Sequence, residues 1–151
     1  MHVFIAGVMQ GSRSDDQIHG QQYRLAIAEV LQQHIPGVQI TDPWSLHPNS
    51  VLYRDEEIRQ TFNSMTALAG EADAVIAYLP HASMGTAIEL WTAHHNGTYV
   101  VAVTPMQHNW VVQITAHDVL PDLDSLVAFI ASGEFARHYQ RVTGRSAYPA
   151  G

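Results

Sequence analysis

The apolar residues of this chain fall into short continuous runs that alternate with stretches of helical periodicity. Val3-Phe4-Ile5-Ala6, closed by Gly7, reads as a buried strand. A polar loop over residues 9–16 follows. Tyr23, Ile27, Val30 and Leu31 then recur at the spacing of a helix that Pro36-Gly37 stops. Val38-Gln39-Ile40-Thr41 predicts a second strand, and residues 42–50 a loop rich in Pro, His and Asn. Residues 53–70 predict a helix with Ile58, Phe62, Met65 and Leu68 on one face. Ala74-Val75-Ile76-Ala77-Tyr78-Leu79 is the clearest strand. A helix opens near Gly85 and ends near Asn96-Gly97, residues suited to a left-handed C-cap. Tyr99-Val100-Val101-Ala102-Val103 predicts the fourth strand. A short apolar piece around Val119-Leu120 and a helix over residues 122–132, with Asp122 as its cap, complete the pattern.

Strands alternating with helices through short loops imply an α/β protein with helices on both faces of a mainly parallel, five-stranded sheet. This is a Rossmann-like (flavodoxin-like) three-layer sandwich. Residues 1–143 read as a single domain and residues 144–151 as a loosely ordered tail. Ligands of such sheets gather outside the carboxyl ends of the strands. The loops at those ends span residues 7–14, 42–50, 80–89 and 104–110.

Composition narrows the chemistry. With 151 residues, 46% of them hydrophobic, the chain is long enough for one proper core. It has no cysteine, which excludes a disulfide framework, a thiol nucleophile and thiolate metal sites. The formal net charge is −7 and every basic side chain is an arginine. Without lysine there is no Walker-type phosphate loop and no Schiff-base chemistry. The acidic balance also argues against nucleic-acid polymers as partners. No apolar run approaches membrane-spanning length and the amino terminus lacks the basic start of a signal peptide, so no membrane role and a cytoplasmic location are expected. Ten histidines are present, but His94 and His95 are adjacent and no His-Glu-x-x-His pattern occurs. No metal and no cofactor are expected.

The segment Ser83-Met84-Gly85-Thr86-Ala87-Ile88-Glu89-Leu90 concentrates the candidate chemistry. Gly85 lets a ligand approach the backbone, and the helix start that follows offers unpaired N–H groups to an anion. Near that positive dipole end the Glu89 carboxylate is expected to stay ionised, as a nucleophile must. Thr86-Ala87-Ile88-Glu89 also fits a capping box, in which Glu89 would only bond back to Thr86.

That block, together with Phe4-Ile5-Ala6-Gly7, Gln10-Gly11 and Ala72-Asp73, resembles the nucleoside 2-deoxyribosyltransferase-like family. In motif it is nearest the 2'-deoxynucleoside 5'-phosphate N-hydrolases and cytidylate N-glycosidases. The resemblance runs from about Val3 to Trp110. It implies that Glu89 attacks the anomeric carbon of a nucleoside, displaces the base and forms a glycosyl-enzyme that water or a second base resolves. Ser83 falls where transferases of free nucleosides carry an aspartate and nucleotide hydrolases a serine, which points to a 5'-monophosphate. Phe4 matches an aromatic position near the sugar or base. Gly7, Met9, Gln10 and Gly11 match the first ligand-bordering loop, although nucleotide-specific relatives often place an arginine where Gln10 stands; Arg13 could substitute, but a solvent-facing loop arginine fits it better. Asn109 matches the region that reaches a neighbouring subunit's site, so a homodimer or dimer-based oligomer is expected. His108, beside it, and His47 lie on ligand-side loops where they could meet a base, a phosphate or a proton.

One position departs from the pattern. Relatives usually carry an aspartate eight residues before the Asp73 equivalent, and this chain has Met65 there. Asp73 lies at the far end of its strand, roughly 20 Å from the site. Asp55, Glu56 and Glu57, or the neutral Asn63 and Ser64, are the nearest replacements in sequence. Three functions therefore compete: an N-glycosidase or deoxyribosyl transferase acting on a nucleotide, a nucleotide-binding module without turnover, and a glycohydrolase of a larger nucleotide.

Overall fold

The computed structural model describes residues 1–10 and 19–149. Gly11 and Arg13 of the first loop lie outside the described residues. Five strands, β1 (His2–Gly7), β2 (Gln39–Thr41), β3 (Ala74–Tyr78), β4 (Tyr99–Val103) and β5 (Asp118–Leu120), form one sheet in the order β2-β1-β3-β4-β5. All four pairings are parallel, so the sheet is wholly and not merely mainly parallel. Chain connections run outward in one direction from β1 to β2 and in the other from β3 to β5. The reversal leaves a crevice beyond the carboxyl ends of β1 and β3.

The helices are α1 (Gln22–His34), α2 (Pro43–Leu46), α3 (Asp55–Glu71), α4 (Met84–His95), α5 (Trp110–Thr115), α6 (Leu123–Ala131) and α7 (Glu134–Thr143). Alternate residues of each strand point to opposite faces, and both faces are covered. Val3, Ile5, Ile76 and Val101 meet α1, α6 and α7 through Ile27, Leu31, Leu126 and Phe135. Phe4, Ala6, Val75, Ala77 and Val100 meet α3 and α4 through Met65, Ala69, Leu90 and Ala93.

The structure adds elements where periodicity is short. Residues 42–50 are not a plain loop: Asp42 accepts the Trp44 N–H at 3.0 Å, Pro43 opens α2, and a single 3-10 turn follows at Ser50–Leu52. Asn109 caps α5 by accepting the Val111 N–H at 3.0 Å. Gly133, at φ +79°, separates α7 from α6. Gly97 (φ +72°), rather than Asn96 (φ −88°), supplies the left-handed turn after α4. Two residues of the segment read as a loosely ordered tail contact the domain. Arg145 donates to Asp73 at 2.8 Å, and Ala147 is buried against the core. Among the described residues no helix is long and apolar enough to cross a membrane.

Candidate active site

A cavity of about 380 Å³ opens in the crevice between β1 and β3. Its walls come from four places: the end of β1 and the residues after it, the segment after β2, the outer face of α3, and the start of α4. Seven of the sequence-derived candidates line it, namely Gly7, Met9, Gln10, His47, Ser83, Gly85 and Glu89. Three do not. Phe4 is fully buried one layer below, in the core between the sheet and α3/α4. His108 and Asn109 are exposed on the approach to α5. Strand alternation explains Phe4: its side chain points down between sheet and helices, whereas only residues past the strand end reach the crevice.

The start of α4 is built by Ser83. Its backbone is extended, and its Oγ accepts from the Thr86 N–H at 3.4 Å and from the Thr86 hydroxyl at 3.1 Å. The capping role thus belongs to Ser83, and the Thr86–Glu89 capping box does not form. Glu89 lies one and a half turns inside the helix, half-buried on the cavity wall. With both contacts accepted, the Ser83 hydroxyl keeps its own proton to donate. The Met84 and Gly85 amides belong to the first turn, where no intrahelical acceptor exists. A Cβ built at Gly85 meets no protein atom within 4 Å, so the space above this turn is cavity rather than packing.

The expectation that Glu89 simply stays ionised needs correction. Burial pushes its carboxyl up to about 8, and the Arg24 guanidinium pulls only partly the other way. A helix amino terminus favours an anion by at most about 2 kcal/mol, mostly within the first turn, and Glu89 lies beyond it.

Arg24, Tyr23, Tyr53 and the outer face of α3 were not singled out in the sequence. Arg24 is buried in α1 and donates to Ile5 O at 2.8 Å, Gly7 O at 3.3 Å, Gln21 Oε1 at 2.7 Å and Asp42 Oδ1 at 2.9 Å. It therefore locks the end of β1 to the start of α2. Tyr23 packs on Tyr78 with ring centroids 4.5 Å apart, and burial raises its phenol. The available signal was a charged residue, Arg24, set three before Ile27 in the apolar stripe of α1. On α3, Ile58 and Phe62 were placed on one face with Met65 and Leu68, but they are 53% and 44% exposed, because they form the cavity's lip. Met65 is buried and lines the cavity. The acidic candidates Asp55, Glu56 and Glu57 are exposed and outside the cavity lining, as are Asn63 and Ser64. Among the described residues lining the cavity, Glu89 is the lone carboxylate and His47 the lone imidazole. No cluster of three or more His, Asp or Glu placed to hold a metal ion occurs among the described residues.

No protein-family model and no curated protein matches the chain. Solved structures do match. One is a 2-deoxyribosyltransferase from the psychrotolerant bacterium Bacillus psychrosaccharolyticus, a biocatalyst for nucleoside synthesis. It has a TM-score of 0.61 and 17% identity, over 84% of this chain and 90% of that one. Another is a conserved protein from Enterococcus faecalis V583, with a TM-score of 0.60 and 16% identity, over 87% of this chain and 98% of that one. At such identities the likeness speaks for the fold. The likeness runs along most of both chains, and with its parallel sheet ordered 2-1-3-4-5 this protein is a Rossmann-like α/β chain with the fold of a 2-deoxyribosyltransferase.

Proposed function

We propose that this chain cleaves or transfers the N-glycosidic bond of a nucleoside 5'-monophosphate or related nucleoside, through a glycosyl-enzyme on Glu89. The observation that carries the reading is the position of Glu89: the lone carboxylate among the described lining residues, beside the open first turn of α4. A carboxylate there attacks the anomeric carbon as the base departs through an oxocarbenium-like transition state, and water or a second base then releases the sugar. The Ser83 hydroxyl and the Met84 and Gly85 amides form a seat for the 5'-phosphate. Gly7, Met9 and Gln10 border the sugar. The nucleoside chemistry named for the Bacillus enzyme supports the same direction. No cofactor takes part, and the proposed setting is the cytoplasm.

The unit we propose is a homodimer. Met84, Ile88 and Trp91 form an exposed apolar stripe at helical spacing on α4, and Trp110, Val111 and Ile114 are exposed on the adjoining α5. Met84 belongs to both this face and the cavity wall. A second copy on this face brings His108 and Asn109 towards its neighbour's cavity.

The test is release of free base from a panel of ribo- and deoxyribonucleoside 5'-monophosphates, read by chromatography. No base from any of them sinks the reading. Met65 favours a second one, a binding module without turnover. It predicts nucleotide-induced thermal stabilisation of equal size in wild type and Glu89→Gln, with no base released by either.

A further inference from the structure

Departure of an unprotonated base leaves negative charge on a ring nitrogen, so glycosidic cleavage needs a proton delivered on the side away from the nucleophile. Met65 offers none. Among the described lining residues the titratable groups are Glu89, Tyr53 and His47. Glu89 is occupied by the attack. A phenol holds its proton too tightly to recycle near neutrality, whereas an imidazole exchanges one there.

His47 is also held in place. Its backbone N–H donates to Pro43 O at 2.9 Å, closing α2. Its Nδ1 lies 3.1 Å from Tyr53 Oη, and the two rings meet edge to face with centroids 5.8 Å apart. In the imidazolium both ring nitrogens donate, so Nδ1–H goes to Tyr53 and Nε2–H is the donor left over. The sheet order places the segment after β2 and the start of α4 on either side of the β1 end. His47 and Glu89 thus line one cavity from different elements.

We propose that His47 is the general acid of the reaction, with Tyr53 as its positioning residue; this rests on the glycosidic reading above. As a Glu89 oxygen bonds to C1', the C1'–N bond breaks and its electron pair goes to the base. The base takes the Nε2 proton of His47. The now neutral imidazole removes a proton from the water that attacks C1', and Glu89 leaves as carboxylate. One water is consumed, base and sugar phosphate are released, and both residues return to their starting forms.

The experiment compares wild type, His47→Gln and Tyr53→Phe on the four unmodified 2'-deoxynucleoside 5'-monophosphates and on N7-methyl-2'-deoxyguanosine 5'-monophosphate. The methylated base departs neutral without any added proton. For unmodified nucleotides, His47→Gln is expected to slow base release in the first turnover, before water resolves the glycosyl-enzyme, by about 100-fold. The methylated substrate is expected to lose less than about threefold. Tyr53→Phe, which keeps the imidazole, is expected to show the same selectivity at about a tenth of the size. An unchanged first-turnover rate in His47→Gln, or equal first-turnover losses on both kinds of substrate, overturns the assignment while leaving the glycosidic reading intact. A wild type that releases base from none of the five overturns both.

Discussion

Arg24 and Asp42 meet at 2.9 Å directly behind the cavity, with the guanidinium 3% and the carboxylate 15% exposed. The same guanidinium caps the carbonyls of Ile5 and Gly7, so one side chain joins α1, the end of β1 and the start of α2. Removing one member of such a pair leaves the other charge and two carbonyls without their partner. Arg24→Met is therefore expected to cost about 3–5 kcal/mol, and the double variant with Asp42→Asn to recover part of it. Urea denaturation of the two variants checks this. A double variant no more stable than Arg24→Met removes the pair as the cause.

Glu89 links stability to pH in the direction opposite to most carboxylates. Its folded value is about 8 against an ordinary 4.5, because burial disfavours the anion. Between those values the folded chain holds a proton that the unfolded chain has lost, so stability falls as pH rises through the window. The full penalty is present above pH 8. Glu89→Gln is expected to match wild type near pH 4, and to gain on the order of 2–4 kcal/mol by pH 9. Thermal melts across that range decide it, and a constant difference between the two proteins contradicts it.

The same ionisation governs the proposed attack, which needs the carboxylate. At the acid end, well below the Glu89 value of about 8, kcat/KM is expected to rise tenfold per pH unit, and the need for a protonated His47 turns the profile down at the alkaline end. A profile already flat from pH 5 upward excludes Glu89 as the nucleophile in this ionisation state.

Gly7 and Gly85 both border the cavity, but for different reasons. A Cβ at Gly7 collides with the Tyr23 phenol, reaching 2.8 Å from its Cζ, while a Cβ at Gly85 meets only open space. Gly7→Ala is expected to lose about 1–3 kcal/mol of stability. Gly85→Ala should melt within a degree or two of wild type and yet weaken nucleotide binding at least tenfold. Equal binding in Gly85→Ala and wild type displaces the ligand from the α4 turn.

In the dimer we propose, the apolar face of α4 and α5 is the interface. Trp110 is 80% and Ile114 57% exposed in the single chain. The double variant Trp110→Ser/Ile114→Asp is expected to sediment as a monomer where wild type sediments as a dimer. Identical masses for the two proteins remove this face from the assembly.

Strands β1, β3 and β4 were legible because each is a continuous apolar run in a sheet buried on both faces. Helices α1, α3, α4 and α6 were legible because their periodicity lasts long enough to exceed noise. Short α2 and α5 depend on one side-chain cap each, Asp42 and Asn109, and a single capping residue is also common in loops. The Ser83–Glu89 block located the site because a glycine and a helix start after a strand have few other uses. The sequence by itself thus determined the layer order, the crevice and the helix that holds the carboxylate. Tertiary structure alone decided what Glu89 faces and how hard it is to ionise, since burial sums over elements far apart in the chain. It also decided that Ile58 and Phe62 form a lip, and that His47 meets Tyr53 on one wall of the cavity. Periodicity reports which residues share a face, but only packing reports whether that face meets a neighbouring element or an open cavity.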